Sequence, residues 1–411
     1  MNKNKPSVFI LGGDFLGLEM ARELNDAGYS VTIVGYGKND IALHTRKARG
    51  ISMPLPDVDP AGLLEELLKL AKNEPGQKVL LGVNEKCRKW ISKYHKEISA
   101  EFKTLFCDSE ILESYFDKWN QMQMSATADV SAPNSAILDK NEIPTRELKF
   151  PLVVKPRYSP KTISFRDKLG SKVLVARNQT ELNNACQKIK EAGFSPLIQE
   201  MVPGVDFNQF LFGAAVKDGK PYAVCMMQKV KTDPWPYGSG VIVRTIYHQE
   251  LYEAGCKMLA DTGYSGICDI EFMRNWDTGG FDFIEFNPRY GLGQRVSQMA
   301  GAGLAEMAVK LAMGEFPDQQ IVARSGYFWV YFDEWIKERL MPWRNRFIRQ
   351  LLDRQNTVKV FSIKDCRPEV QHIKNILTLK IKRIGKFTAL PFSGILHFGE
   401  LIEEFGKILA Q

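Results

Sequence analysis

Short apolar runs alternate with helical patterns in the N-terminal part of the chain. Ser7–Leu11 is an apolar run followed by glycines and a helical pattern that ends at Ala27, and Tyr29–Val34 is the next apolar run. The order strand, loop, helix, strand is typical of a doubly wound parallel sheet. Further elements are predicted in the same alternating order, a helix at Pro60–Lys72, a strand at Lys78–Gly82 and a helix at Glu85–His95. We therefore predict a Rossmann-like α/β domain over residues 1–113.

The hydrophobic pattern loses this regular alternation after residue 113. It predicts a helix at Tyr115–Met124, strands at Pro151–Pro156, Lys172–Ala176 and Leu197–Glu200, a hairpin of Phe207–Val216 with Pro221–Lys229, and helices at Leu251–Leu259 and Gly303–Met313. An amphipathic helix is also expected between the second and third of these strands. This mixture predicts an α+β domain over residues 114–326.

A second hairpin carries the strongest chemical signal. Two alternating apolar runs, Ile267–Met273 and Phe281–Phe286, flank a turn-forming segment that contains two glycines. The first run contains Glu271 and the second contains Glu285, so pairing of the strands places the two carboxylates side by side. Asn287 follows on the same face because side chains alternate along a strand. Two carboxylates and an amide oxygen are ligands that Mg²⁺ takes when it also holds phosphates.

The composition agrees with a globular enzyme. The chain has 411 residues, of which 44% are hydrophobic and 25% are charged, and it has no continuous apolar run long enough to span a membrane. Its seven cysteines and five histidines are dispersed, without C-x-x-C or H-x-x-x-H pairs, which argues against zinc or a disulfide framework. A polar N-terminus that runs directly into a strand argues against a signal peptide, so a cytoplasmic location is expected.

The C-terminal region, residues 327–411, is basic and rich in tryptophan. Lysine and arginine outnumber aspartate and glutamate roughly threefold between Lys337 and Lys386, and the apolar segment Phe387–Ala410 follows. One interpretation is a solvated surface. The other is a surface for an anionic partner, either a cell-envelope precursor or the inner face of a membrane.

The run Glu285-Phe286-Asn287-Pro288-Arg289 resembles the metal-binding strand of ATP-grasp enzymes, in which E-x-N-P-R follows a strand with an earlier acidic residue. Lys118, in an Asp-Lys pair, and Lys155, at the end of a strand, resemble the two phosphate-binding lysines of that superfamily. The resemblance implies ATP held between two α+β subdomains behind an N-terminal doubly wound domain. It also implies Mg²⁺, or Mn²⁺ in its place, held by the three residues of the hairpin.

The segment Leu197–Asp206 resembles the adenine-binding hinge of the same superfamily. The resemblance implies that Gln199 or Glu200 meets the adenine amino group, that the backbone N–H of Val202 meets the ring, and that Asp206 holds the ribose hydroxyls. Adenine presents a donor and acceptor edge that such a strand can match.

Two further segments, Gln228–Pro236 and Phe361–Pro368, resemble the carboxylate–amine ligase subgroup that includes D-aspartate ligase. This implies a small-molecule carboxylate and an amine as substrates, an acyl phosphate intermediate, and ADP and phosphate as products. Arg289 would stabilise the oxyanion or orient the carboxylate, and Lys229 would contact the transferred phosphoryl group. No nucleic-acid partner is expected, and oligomeric state is left open.

The loop Pro156–Leu169 departs from the family because it has no glycine, whereas many relatives close a glycine-rich flap over the phosphates. Backbone N–H groups usually form that cradle. Side chains could replace them here, and the candidates are Arg157, Lys161, Arg166 and Lys168. The alternative is that this loop does not clamp the phosphates at all.

Two other classes of function stay open at this stage. One is a nucleotide-binding protein without catalysis. The other is an NAD-dependent dehydrogenase that uses the loop Gly12–Gly17, although the glycine spacing is not G-x-G-x-x-G and no acidic residue ends the second strand.

Overall fold

The computed structural model describes residues 5–138, 148–158, 168–334, 336, 350, 354–358 and 363–384. The apolar segment Phe387–Ala410 and the motif residues Phe361 and Ser362 lie outside the described residues, as does most of the interval 337–362.

The N-terminal part is a five-stranded parallel sheet in the order β3-β2-β1-β4-β5. Its elements are β1 Ser7–Leu11, α1 Phe15–Asp26, β2 Ser30–Gly35, β3 Arg49–Ser52, α2 Pro60–Lys72, β4 Lys78–Gly82, α3 Glu85–Lys93, α4 His95–Ile98, β5 Lys103–Thr104 and α5 Ser109–Ser114. The doubly wound sheet expected from the sequence is confirmed. The predicted helix at Glu85–His95 is wrong in detail, because the chain turns at Tyr94 and continues as the short α4.

The first turn of α1 shows why glycines follow β1. A Cβ atom on Gly17 would lie 2.0 Å from the carbonyl oxygen of Gly12, so the helix can approach the strand only without that side chain. Asp14 caps the helix, since its Oδ1 accepts hydrogen bonds from the N–H groups of Leu16 at 3.0 Å and Gly17 at 3.1 Å.

A four-stranded antiparallel sheet in the order β6-β9-β7-β8 follows. Its elements are α6 Lys118–Thr127, β6 Ser135–Ile137, β7 Leu152–Pro156, β8 Leu174–Ala176, α7 Gln179–Glu191 and β9 Pro196–Glu200. The helix predicted from Tyr115 begins only at Lys118, because Asp117 caps it by accepting a hydrogen bond from the Trp119 N–H at 3.0 Å. This places Lys118 in the first turn.

The third sheet is larger and almost entirely antiparallel, with the strand order β14-β13-β10-β11-β12-β16, and β15 pairs in parallel with β11. Its elements are β10 Gln209–Lys217, β11 Lys220–Asp233, β12 Ser239–Ile246, α8 Gln249–Lys257, β13 Gly266–Arg274, β14 Phe281–Asn287, α9 Val296–Met299, α10 Leu304–Ala312, β15 Ile321–Val322 and β16 Phe328–Val330. The α+β expectation is confirmed. Strand β12 was not predicted.

The C-terminal helix α11, Arg367–Ile384, is fastened to the N-terminal sheet. Buried Arg22 of α1 donates to Asp365 Oδ2 at 3.0 Å and lies 2.8 Å from Glu369 Oε1. Asp365 also accepts from the Thr45 hydroxyl and, at 2.7 Å, from the Arg46 N–H. The aspartate of the predicted subgroup motif therefore anchors this helix.

A shared hydrophobic core joins the N-terminal sheet to the large sheet. Trp329 of β16 is fully buried in the same cluster as the apolar residues of α1, and its indole N–H donates to Glu19 Oε2 at 2.8 Å. The domain limits 1–113, 114–326 and 327–411 stay predictions. Among the described residues, no helix combines the length and the apolar character needed to cross a membrane.

Candidate active site

A cavity of about 610 Å³ lies between the four-stranded sheet and the large sheet. This volume is typical of a small-molecule site. The eleven residues to which the sequence assigned a role toward nucleotide, metal or substrate all line it: Lys118, Lys155, Gln199, Glu200, Val202, Asp206, Lys229, Glu271, Glu285, Asn287 and Arg289. Residues from segments far apart in the chain thus meet at one place.

The two carboxylates of the second hairpin lie side by side, as the alternation predicts. Glu271 of β13 is paired with Glu285 of β14. Asn287, two residues after Glu285, is paired with Asp269, two residues before Glu271. Each glutamate has its own lysine. Lys229 Nζ lies 2.8 Å from Glu271 Oε2, and Lys118 Nζ lies 3.2 Å from Glu285 Oε1.

The lysines control the protonation of both carboxylates. Burial alone would raise the pKa of Glu285, but Lys118 and Lys155 hold the pKa at about 2. Burial also opposes ionisation of Glu271, and Lys229 nevertheless holds its pKa below the usual range. Both side chains are therefore ionised at neutral pH.

Lys155 is buried at the end of β7 and its Nζ lies 3.4 Å from the carbonyl oxygen of Ile284. Burial lowers the pKa of Lys155 to about 8, although Glu285 partly offsets this effect. A cation that is this weakly solvated gains strongly from a nearby anion.

The donor set at the hairpin fits a divalent cation that binds oxygen. Glu271 and Glu285 supply carboxylates, and Asn287 supplies an amide oxygen that accepts from Arg289 Nη2 at 3.1 Å. Within the described ranges, no cluster of three or more Asp, Glu, His or Cys side chains has metal-site geometry. Lysine ammonium groups contact both of these carboxylates.

In the hinge segment Leu197–Asp206, a backbone group rather than the side chains of Gln199 and Glu200 is available to a ligand. Buried Gln199 donates to Ser135 Oγ at 3.0 Å, and the Glu200 carboxylate accepts from the Lys149 N–H at 2.8 Å. Both side chains are thus engaged by the protein. In the part of the chain that the structure describes, the Val202 N–H donates to no other residue, so it remains available to a planar ring.

Asp206 lies at the same end of the cavity and is held by the end of β11 and by the loop that connects β11 to β12. Its carboxylate accepts from the Tyr237 N–H at 2.9 and 3.1 Å and from the Thr232 hydroxyl. A carboxylate has about four acceptor positions, so the side chain can accept further hydrogen bonds from a ligand that bears hydroxyl groups.

Several residues at the cavity were not predicted, namely Glu85, Lys172, Trp235 and Tyr237. Lys172 is the most informative of these because it is a cation near the carboxylates. It lies only three residues after the loop Pro156–Leu169, and this proximity is the signal in the sequence that could identify it.

The basic residues of that loop do not all face the cavity. Arg157 is bound to Asp117 through contacts of 2.6, 2.8 and 3.1 Å, and Lys168 Nζ donates to the Ala192 carbonyl at 2.6 Å. Lys161 and Arg166 lie outside the described residues. The proposal that Arg157 and Lys168 replace a glycine-rich cradle therefore receives no support from their positions.

A known family covers the hairpin. The profile of the family described as "Carbamoyl-phosphate synthase L chain, ATP binding domain" matches residues 240–319. This range contains Glu271, Glu285, Asn287 and Arg289, and it lies downstream of both lysines and the hinge. Residues 240–319 are thus similar to an ATP-binding domain of the ATP-grasp superfamily. The sequence resemblance is thus confirmed at the level of the superfamily.

Among curated proteins, the carbamoyl phosphate synthase large chain, N-terminal section, of Methanopyrus kandleri is 26% identical over 192 residues, which are 44% of this chain and 32% of that protein. The chain spans about a third or less of the length of the first curated relatives it matches.

Solved structures confirm the fold over most of the chain. N5-carboxyaminoimidazole synthetase from Staphylococcus aureus, complexed with ADP, has a TM-score of 0.60 with 12% identity, covering 80% of this chain and 82% of that chain. L-amino acid ligase from Bacillus licheniformis has a TM-score of 0.53 with 14% identity, covering 75% and 71%.

Proposed function

We propose that this protein is an ATP-dependent carboxylate–amine ligase. The observation that carries the proposal is the convergence, in one cavity, of two lysine-paired carboxylates, a third lysine with a lowered pKa, and a hinge strand with an available backbone N–H. The lysines place positive charge for phosphates at one end of the cavity. The hinge strand places a backbone hydrogen-bond donor for a base at the other end. The match of residues 240–319 to an ATP-binding domain and the likeness of the fold to an L-amino acid ligase support the same assignment.

The nucleotide would lie with its adenine against the hinge and its ribose at Asp206. Val202 would donate to the ring, and Asp206 would accept from the ribose hydroxyls. Gln199 and Glu200 would contribute backbone, because their side chains are engaged elsewhere. This replaces the sequence-based hypothesis that one of these side chains meets the adenine amino group.

The triphosphate would then reach the lysines. Lys118, Lys155 and Lys229 would neutralise its charge, which is most of what catalysis of phosphoryl transfer requires. Mg²⁺ held by Glu271, Glu285 and Asn287 would add Lewis-acid stabilisation of the phosphate oxygens. Lys118 and Lys229 contact these same carboxylates. Once the carboxylates bound the metal, the two ammonium groups would be close enough to turn to the phosphate oxygens.

The reaction has two balanced steps. An oxygen of the substrate carboxylate attacks the γ-phosphorus, the bond to the β-phosphate oxygen breaks, and ADP leaves with that electron pair. The amine then attacks the carbonyl carbon of the acyl phosphate, inorganic phosphate leaves, and the nitrogen loses a proton. Arg289 lies beside Asn287, where a fixed planar cation can orient a carboxylate or stabilise the oxyanion.

The finer assignment is to the subgroup that resembles D-aspartate ligase, with an amino acid as one substrate. Lys229 and Lys231 of the resembling segment lie on β11, and Asp365 of the second segment anchors the C-terminal helix. An anionic cell-envelope precursor as acceptor rests on the basic C-terminal region alone.

The dehydrogenase alternative is disfavoured by Asp14. Dinucleotides place their pyrophosphate on the first N–H groups of the helix after β1. Here the Asp14 carboxylate already accepts from two of those N–H groups and would repel a phosphate. A protein that binds nucleotide without catalysis would keep the same lysines and carboxylates, so only turnover separates it from a ligase.

The test is a screen of pooled amino acids and peptides for release of ADP and phosphate in the presence of ATP and Mg²⁺. We expect release that depends on one carboxylate and one amine together. Tight ATP binding with no turnover for any pool would favour the non-catalytic alternative, and binding of NAD(H) but not ATP would overturn the ligase assignment.

A further inference from the structure

Lys172 reaches across the cavity from one lobe to the other. It precedes β8 of the four-stranded sheet, and its Nζ donates a hydrogen bond of 2.8 Å to Oγ of Ser239, the first residue of β12 in the large sheet. The two residues are therefore a direct polar link between the lobes that enclose the cavity.

The ammonium group lies within the field of the carboxylates on the large sheet. Lys172 lines the same cavity as Glu271, Glu285 and Lys229. The side chain of Lys172 is exposed, and among its charged neighbours Glu271 is the one that most favours the charged ammonium group. The ammonium group is hydrogen-bonded to a neutral hydroxyl, so an anionic oxygen can replace that partner.

Two other basic residues of the same segment bind other parts of the protein. Arg157 is bound to Asp117, and Lys168 donates to a backbone carbonyl of the helix end at Ala192. Among the described basic residues between positions 157 and 172, Lys172 is the one that lines the cavity. It comes at the end of the loop in which the family usually places glycines for a phosphate.

We propose that Lys172 is a phosphate-binding residue that contacts the terminal phosphate oxygens of the bound nucleotide, and that Ser239 holds its ammonium group when no phosphate is present. The inference rests on the proposed function, since it requires a nucleotide in this cavity. Exchange of the Ser239 hydroxyl for a phosphate oxygen is favourable because the ammonium group then pairs with a negative charge instead of a neutral dipole. The side chain thereby supplies what a backbone cradle supplies elsewhere.

The test compares Lys172→Met with Lys168→Met as the matched control, because Lys168 lies on the same segment but faces away from the cavity. Dissociation constants are measured by calorimetry, with Mg²⁺, for a non-hydrolysable ATP analogue and for AMP. We expect Lys172→Met to weaken the triphosphate analogue about 10- to 100-fold, the loss of one charged hydrogen bond. AMP binding should change less than about twofold, because its phosphate lies nearest the ribose, and Lys168→Met should match the wild type.

A second variant shows whether Lys172 binds phosphate or only holds the two lobes together. Ser239→Ala removes the resting partner of Lys172, so binding of the triphosphate analogue should be at least as tight as in the wild type. If Lys172 only holds the lobes together, Ser239→Ala and Lys172→Met will weaken AMP and the analogue alike, and the inference is wrong. It is also wrong if Lys172→Met binds the analogue normally.

Nucleotide binding by the wild-type protein separates the role of Lys172 from the proposed function. If the wild type binds neither nucleotide, the proposed function fails and the inference fails with it. If the wild type binds the analogue and Lys172→Met does too, the proposed function stands and only the role of Lys172 is lost. Melting curves of each variant confirm that the comparison is made on folded protein.

Discussion

Lys118 Nζ lies 3.2 Å from Glu285 Oε1, across the boundary between the first turn of α6 and strand β14. Lys229 and Glu271 form the equivalent pair on the other strand of the hairpin, at 2.8 Å. Both lysine side chains are almost fully buried, and a buried charge without a partner is costly. The pairs therefore keep the cavity charge-balanced without nucleotide, using the groups that would later bind metal and phosphates.

Replacement of Glu285 by alanine should abolish ATP turnover. The variant Glu285→Ala loses one proposed metal ligand and leaves Lys118 without its counter-ion, so we expect a fall in kcat of about 100-fold or more, the scale seen when one preorganised electrostatic group is removed. The measurement is ADP release with the true substrates. Asp277→Ala, at the exposed tip of the same hairpin, is the control and should retain activity. Near-normal ADP release by Glu285→Ala would remove this residue from the proposed site.

ATP should be cleaved to ADP and inorganic phosphate. Acyl phosphate formation displaces ADP from the γ-phosphorus, whereas adenylation would release pyrophosphate. Phosphorus NMR of the complete reaction distinguishes the two product sets. Pyrophosphate among the products would contradict the proposed chemistry.

Nucleotide affinity should fall as the pH rises above 8. The pKa of Lys155 in the free protein is lowered to about 8 by burial, so the lysine is mostly charged below this pH and mostly neutral above it. Phosphates bind the charged form and raise its pKa, so binding above pH 8 must take up a proton. We expect the dissociation constant of an ATP analogue to rise up to about tenfold per pH unit there.

The variant Lys155→Met supplies the comparison. It should bind the analogue more weakly at neutral pH and lose most of the dependence above pH 8. A wild-type affinity that stays constant between about pH 7 and pH 10 would show that Lys155 does not contact the phosphates in its charged form.

Arg88 of α3 should prove essential for the position of Asn287 and Arg289. Its guanidinium donates to the carbonyl oxygens of Pro288 and Ser265, both at 2.6 Å, in a buried setting. Arg88→Met leaves both carbonyls without these donors, and we expect a loss of about 2 kcal/mol or more in stability together with weaker binding of the ATP analogue. Thermal melting and calorimetry measure the two effects. Lys93→Met, on the same helix but exposed, should change neither.

The basic C-terminal region should bind anionic vesicles at low salt if it contacts a membrane surface. Surface attraction of this kind fades when the ionic strength approaches physiological values, where charges beyond about 8–10 Å are screened. Sedimentation with vesicles that contain an anionic lipid, at low and high salt, measures it. Absence of binding at low salt would exclude the membrane interpretation.

Local sequence patterns predict much of the fold. Helix α2 and strand β4 have the predicted limits, because an apolar periodicity and its capping residues are properties of short stretches of chain. Helix α6 was predicted three residues too early, since the capping of its N-terminus by Asp117 competes with helical continuation. The sequence does not predict strand β12, because the segment before it is rich in proline and glycine and is typical of a loop.

For the site, the sequence by itself identified residues that line the cavity. It also predicted the pairing of Glu271 with Glu285, because alternation along a hairpin fixes which side chains share a face. Only the tertiary structure decided which lysine neutralises which carboxylate, that Asp14 blocks the N-terminus of α1, and that Lys172 faces the cavity. Those contacts join segments far apart in the chain, and they depend on how three sheets pack rather than on any local pattern.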